Sequence, residues 1–415
     1  MKNKKVLTLL LVMLMVCSTA VAAYVPAFNA GLNASKNTGT TATTSAGLND
    51  GVTVTDVSDK YDTSVVSDAL NKDALLTLSD VAKLTGDETP VFSSEDEVWV
   101  IVQLSDDSLV TRYNEGENKN YSSIDAYLES ASAKNQVAVL EARQSALMAK
   151  LQKTGVAIEF KYNYTSVMNA FAAKIKYGDI SKVKAYNDVK NVIVSELYAE
   201  PTVDVSENFV NVYESTGIFN SSGCGYQGEG MIVAVLDTGI NRQHEAFQHQ
   251  PDPDTMAKNR EEIAEKIASG KLKSSSIYRG LDVDDVYYSD KIPYAFDYAD
   301  DDPDAYPGNS PHGVHVSGVI VGKSDVITGV APEAQLATMK VFSEEHSGAY
   351  QMDILAALED SVVLGVDVIN MSLGSTSGFA SGGESGIIDG IFNSVREAGI
   401  TLCVAAGNEY NSYMN

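Results

Sequence analysis

The chain has 415 residues, with 56 acidic and 30 basic side chains and a formal net charge of −26. That balance argues against nucleic-acid binding, which wants a basic face, and suits a protein kept dispersed by self-repulsion. The length leaves room for two or three domains, and three cysteines do not make a disulfide framework.

Residues 1–23 read as a secretory signal. Lys2, Lys4 and Lys5 give a positive start, Val6–Val16 is almost wholly apolar, and Ala20-Val-Ala22 offers a small-x-small cleavage site. The apolar run is too short to span a bilayer comfortably. Val16 is bulky where a lipoprotein signal at Cys17 wants a small residue. No later stretch has spanning length. Residues 24–94 follow as a flexible lead, rich through Asp50 in Ala, Asn, Thr, Gly and Ser. Signal removal leaves Cys224 in a Gly/Ser loop and Cys403 in an apolar run, where it reads as a packed small hydrophobe.

A small α+β unit is expected over 95–200. Val98–Leu104 reads as a strand. Ser123–Lys153 reads as one helix, with Val137, Leu140, Leu147 and Leu151 at helical spacings. Ile158–Tyr164 and Ala170–Ile175 read as strands, Asp179–Tyr186 as a short helix and Val189–Val194 as a last strand. This order is a split βαβ arrangement.

Residues 201–415 read as α/β. Ile232–Leu236, Leu336–Val341, Val366–Asn370 and Ile400–Ala405 are continuous apolar runs, which suit parallel strands buried on both faces. Helical segments at Val314–Val321, Met352–Leu364 and Gly386–Ala398 alternate with them. Ligands of such sheets bind at the carboxyl ends of strands, where Asp237 and Asn408 fall. Between Phe247 and Pro311 lies a long acidic, Tyr-containing insertion. Its run of Asp297, Asp300, Asp301, Asp302 and Asp304 lacks calcium-loop spacing and ends in Pro303–Gly308, so it reads as a solvated loop.

Three motifs carry chemistry. Asp237 stands near the end of Ile232-Val-Ala-Val-Leu-Asp-Thr-Gly-Ile240. His312 opens His312-Gly-Val-His-Val-Ser-Gly318 at a helix start. Such a carboxylate and imidazole can activate a serine hydroxyl. Asn408, in Val404-Ala-Ala-Gly-Asn-Glu409, could donate to an oxyanion or satisfy its own turn. A single Asp-Thr-Gly argues against an aspartic protease, which needs two such carboxylates. His312 and His315 could share a metal, but a zinc protease prefers His-Glu-x-x-His and no Glu lies between them. His315 therefore reads as packing within the helix, and His244 as structural.

In this order the motifs resemble the subtilisin-like serine proteases, the subtilases. The resemblance implies that Asp237 orients the base, His312 is the base and Asn408 stabilises the oxyanion. It implies that Ser372, Leu373 and Gly374 line the S1 pocket and pair with substrate backbone, and that calcium can bind. Val314 departs from the Thr usual in the family. The unit at 95–200 resembles the family's propeptide, an intramolecular inhibitor and folding aid, against the plainer alternative of an independent binding domain. Its tail, near Tyr198–Val203, is expected in the cleft beside Ser372-Leu-Gly374. The family's nucleophile sits in a Gly-Thr-Ser-Met-Ala-type motif, and none occurs up to Asn415, so these residues are expected to form an incomplete domain. The long Asp-to-His spacer and Val368-Ile-Asn-Met-Ser-Leu-Gly374 look like the large cell-envelope proteases of Gram-positive bacteria, the lactocepin and C5a-peptidase-like branch. The expectation is a secreted or surface endopeptidase precursor acting on proteins or peptides. The rivals are a non-catalytic secreted binding or inhibitory fragment and a metal-dependent hydrolase.

Overall fold

The computed structural model describes residues 92–198, 226–308, 310–345, 348–374 and 385–405. The signal, nearly all of the lead, Cys224 and Asn408 lie outside the described residues. Those from Glu97 onward fall in one compact unit.

Its N-terminal part is a four-stranded antiparallel sheet. Strand β1 (Glu97–Leu104) runs through the centre, because Val98, Val100, Ile101, Val102 and Leu104 are all buried. Helices α1 (Leu109–Glu115), α2 (Ile124–Leu128) and α3 (Ala131–Lys153) follow. The single helix expected over 123–153 is thus two. Ser130 caps α3 by accepting from Ala133 N at 3.1 Å, and an N-cap ends one helix as it starts the next. Strands β2 (Glu159–Tyr164) and β3 (Ala170–Lys176), helix α4 (Ile180–Lys184) and strand β4 (Val189–Val194) complete the order β2-β3-β1-β4. This is the split βαβ arrangement. Strand β5 (Leu197–Tyr198) then leaves the unit.

The second part is built on β6 (Ile232–Asp237), every residue of which is buried. The long insertion between Phe247 and Pro311 follows β6. It holds helices α5 (Arg260–Ala268), α6 (Lys273–Ile277) and α7 (Val283–Val286), then strand β7 (Tyr294–Asp297). Helices α5 and α7 start on capping boxes, Asn259 with Glu262 and Asp282 with Asp285. Helix α8 (His312–Val321), strands β8 (Gln335–Lys340) and β9 (Ala349–Tyr350), helix α9 (Gln351–Leu364), strand β10 (Val368–Met371), helix α10 (Ser385–Glu397) and strand β11 (Thr401–Val404) follow. The sheet order is β11-β10-β6-β8-β7, parallel throughout. It has a fifth strand, β7, that the apolar runs did not announce. Cys403 packs against the core on one face, as expected.

One hydrophobic core runs from the antiparallel sheet into the parallel one. Tyr127, Tyr162 and Tyr164 share it with Tyr294, Tyr298, Leu355 and Leu358. Among the described residues no helix is long and apolar enough to cross a membrane.

Candidate active site

Asp237 is the last residue of β6, at the carboxyl edge of the parallel sheet, and only 1% of it is exposed. Its Oδ1 accepts from Thr238 N at 2.7 Å and lies 2.7 Å from His312 Nδ1. A carboxylate only accepts, so Nδ1 carries the proton and the lone pair is left on Nε2. The imidazole side chain keeps 12% exposure.

The strand end and the helix start meet through two glycines and one hydroxyl. Thr238 Oγ1 donates to Ser310 O at 3.0 Å and accepts from Gly313 N at 2.9 Å. A β-carbon on Gly313 would collide with Gly239 O and stand 3.2 Å from Asp237 Cβ. Gly239 has φ 106, in the left-handed region, and a β-carbon there would collide with Ala305 O. Ile240 N donates to that same carbonyl at 2.8 Å. Thr238 and Gly239 are therefore parts of the arrangement that reading single motifs left out, although both stand inside the quoted motif.

Below the pair lies a buried cation. Lys340, opposite Asp237 in the β6–β8 register, is 1% exposed and forms ion pairs with Asp297 and, at 3.4 Å, Asp300. Asp300 also accepts from Ser343 Oγ and from Glu344 N at 2.9 Å. Asp297 Oδ1 accepts from Ala299 N at 2.9 Å. Asp301 meets Lys161 at 3.1 Å. The acidic run thus spends three of its carboxylates on lysines, which overturns its reading as a solvated stretch. Burial pushes the Asp297 carboxyl up to about 7.

His315, expected to pack within α8, is exposed. His244 caps a short turn by accepting from Ala246 N at 3.2 Å, a structural role as expected. Among the described residues no group of three or more His, Cys, Asp or Glu is placed to hold a metal ion.

Ser372, Leu373 and Gly374 leave the carboxyl end of β10, on the sheet edge that carries Asp237. Leu373 is buried and Gly374 exposed, and Asn370 Nδ2 donates to Ser372 Oγ at 3.0 Å. A second strand, absent from the sequence reading, is β9. Leu197–Tyr198 of β5 pair antiparallel with Ala349–Tyr350, and Gln351 N donates to Glu196 O at 2.9 Å. Gly348 has φ 115, and a β-carbon there would collide with Tyr198 O. The tail expected beside Ser372-Leu-Gly374 therefore has its described part on β9.

A buried carboxylate holding an imidazole at the carboxyl end of a parallel sheet is the arrangement of a nucleophile-activating hydrolase. Residues 228–414 match the subtilase family, peptidase S8, and the chain carries a domain of that family. It is 32% identical over 286 residues to the PII-type proteinase of Lactococcus lactis subsp. cremoris, covering 66% of this chain and 14% of that protein. Over 190 residues it is 30% identical to the C5a peptidase of Streptococcus pyogenes serotype M6, covering 44% of this chain and 15% of the relative. The chain thus spans about one seventh of the length of the curated relatives it matches. A crystal structure of a mutant epidermin leader peptide processing serine protease from Staphylococcus aureus aligns with 75% of this chain and 61% of its own. Its TM-score is 0.43 at 16% identity, a likeness too loose to carry an argument.

Proposed function

We propose that this chain carries the base and the orienting carboxylate of a secreted serine-type endopeptidase that cuts peptide bonds through an acyl-enzyme. The observation that carries the reading is the 2.7 Å Asp237–His312 pair, inside the segment that matches the subtilase family. His312 Nε2 takes the serine proton and later gives it to the leaving amine. Asp237 fixes the tautomer and stabilises the imidazolium. Asn408 donates to the developing oxyanion. Ser372, Leu373 and Gly374 on one side, and β9 on the other, offer backbone to an extended peptide. The sequence contains no Gly-Thr-Ser-Met-Ala-type motif after Asn408, so these residues supply the base, the carboxylate and the oxyanion donor of this mechanism but not its serine. The names of the relatives, proteinase and C5a peptidase, support protein or peptide substrates. Together with the signal-like residues 1–23 they support an extracellular or cell-surface location. The unit at 95–200 is read as the propeptide, an intramolecular inhibitor whose tail occupies β9.

The test uses the full reading frame beside the 415-residue chain. The short chain should leave a fluorophosphonate probe unreacted, and the long one should be labelled at a serine beyond 415. His312→Ala in the long form should abolish both peptidase activity and self-maturation, because triad members act as a unit. Asn408→Ala should be milder, a loss on the order of 10²–10³ in turnover, the cost known for the corresponding donor in subtilisin. A His312→Ala enzyme that still matures in cis overturns the assignment.

A further inference from the structure

The insertion between Phe247 and Pro311 contacts the N-terminal unit at two separate places. In the first, Lys266 Nζ donates to Glu129 Oε1 at 2.7 Å, and Lys271 Nζ reaches Glu129 Oε2 at 3.3 Å and the carbonyl of Leu128. Glu129 is the C-cap of α2, so both cations sit at the negative end of that helix. The Lys266 and Lys271 side chains are 15% and 9% exposed, unusual seclusion for lysines. In the second, Tyr162 Oη donates to Tyr298 O at 3.0 Å, and Asp301 Oδ1 meets Lys161 Nζ at 3.1 Å. Asp301 has φ 62 and is the one positive-φ residue other than glycine among the described residues. That conformation is costly for any residue with a β-carbon, and here it carries a carboxylate to β2.

The Glu129 contact is separate from those made by the rest of the parallel-sheet part, whereas the second shares Lys161 and Tyr162 with Asp353 of α9. Helix α9 holds the 165–168 loop through Glu359, and β9 holds the tail. A cut between Tyr198 and Tyr226 removes the covalent tether and none of these anchors.

We infer that the insertion is a charged clamp that retains the 97–198 unit as a bound partner after the chain is cut between Tyr198 and Tyr226. The partner is this chain's own N-terminal unit, recognised through Glu129 and the end of α2 and through Lys161 on β2. Calling that partner an inhibitor rests on the function proposed above; the clamp itself does not.

The experiment starts from the folded 415-residue chain with a unique protease site placed within 199–225. After cleavage the two pieces should co-elute, and their dissociation rate is measured by surface capture of one piece. Glu129→Lys brings a third cation up to Lys266 and Lys271 and should speed dissociation about tenfold. Lysine at a helix C-cap suits the helix dipole, so the variant should fold. Lys266→Glu should act in the same direction. Combining the two restores an ion pair and should give slower dissociation than either single change. The wild-type rate should rise with salt. Single variants within twofold of wild type, or a combined variant no slower than the singles, overturn the clamp. Inhibition is read separately, by adding the released piece to the active long form. A piece that stays bound under control of Glu129 and Lys266 but leaves activity unchanged sinks the propeptide reading and leaves the clamp standing.

Discussion

At Gly313 an added methyl group would collide with Gly239 O and crowd Asp237 Cβ, and Gly313 N is itself spoken for by Thr238 Oγ1. The closeness of the helix start to the strand end is what brings His312 to within 2.7 Å of Asp237. Gly313→Ala should therefore move the imidazole as well as strain the backbone. The expected cost is about 1–3 kcal/mol of stability, the usual range for overpacking. Turnover of the long form should fall by at least tenfold, since small misplacements of catalytic groups are expensive. Thermal unfolding and peptide hydrolysis check the two effects. An alanine variant with both values at wild-type level would show that the contact does not set the pair. Lys340 works at the same scale from below. Its ion pairs with Asp297 and Asp300 fix the start of the loop that presents Ala305 O to Ile240 N.

Helix α9 shows what an element can hide. All fourteen of its residues, Gln351–Leu364, are buried, including three acids. An unpaired buried charge is costly, so each acid must find donors. Glu359 accepts from the backbone N–H groups of Thr165, Ser166, Val167 and Met168 at 2.7–3.4 Å. Asp360 accepts from Lys273 N and Ser274 N at the start of α6 and from Tyr298 Oη. Asp353 meets Lys161 at 2.9 Å and Tyr162 Oη at 3.1 Å. The helix is thus a spine gripped from both sides, by the N-terminal sheet and by the insertion. Glu359→Ala would strand those N–H groups, at a cost of about 3–5 kcal/mol. Amide hydrogen exchange at 165–168 should accelerate while that of β6 stays slow. Equal acceleration in both places would mean that the change unfolds the whole chain rather than releasing the N-terminal unit.

For the whole molecule these buried acids set a pH dependence. Burial raises the carboxyls of Asp297 and Asp353 to about 7 and that of Asp360 to about 6, despite their lysine, backbone and tyrosine donors. Their unfolded values lie near 4, so between about pH 4 and 7 the folded chain binds more protons than the unfolded chain. This contribution is complete below pH 4 and is lost as pH rises through 7. Lys291, pulled down to about 7 by burial, acts in the other direction, and only from pH 7 up to its unfolded value near 10.5. The melting temperature should consequently fall between pH 5 and pH 7 by about 3 °C or more. Asp353→Asn keeps an acceptor for Lys161 without titrating, and its decline over the same interval should be shallower. An increase in melting temperature from pH 5 to 7 would contradict the account.

Local patterns made much of this legible in the sequence. Apolar runs specified β6, β8 and β10, because a strand buried on both faces needs no partner to declare itself, and they located β11 too, although it lies at the sheet edge and is only partly buried. Helical spacing of apolar residues specified the long helix of the N-terminal unit, and alternation with the strands located α8 and α9. The Asp237 and His312 motifs carried the pair, because a strand-end acid and a Gly-flanked helix start are short-range features. What the sequence hid were choices of partner. The four residues of β7 are too few for a pattern, and they become a strand only because β8 offers its edge. Ser130 split a helix whose period ran on unbroken. The side of α8 that faces solvent put His315 outside. The acidic run of the insertion looks like a solvated loop until Lys340 and Lys161 come to meet it. Hydrophobic periodicity is a property of neighbouring residues, whereas the donor for a buried charge comes from anywhere in the chain, and only the folded molecule decides which one arrives.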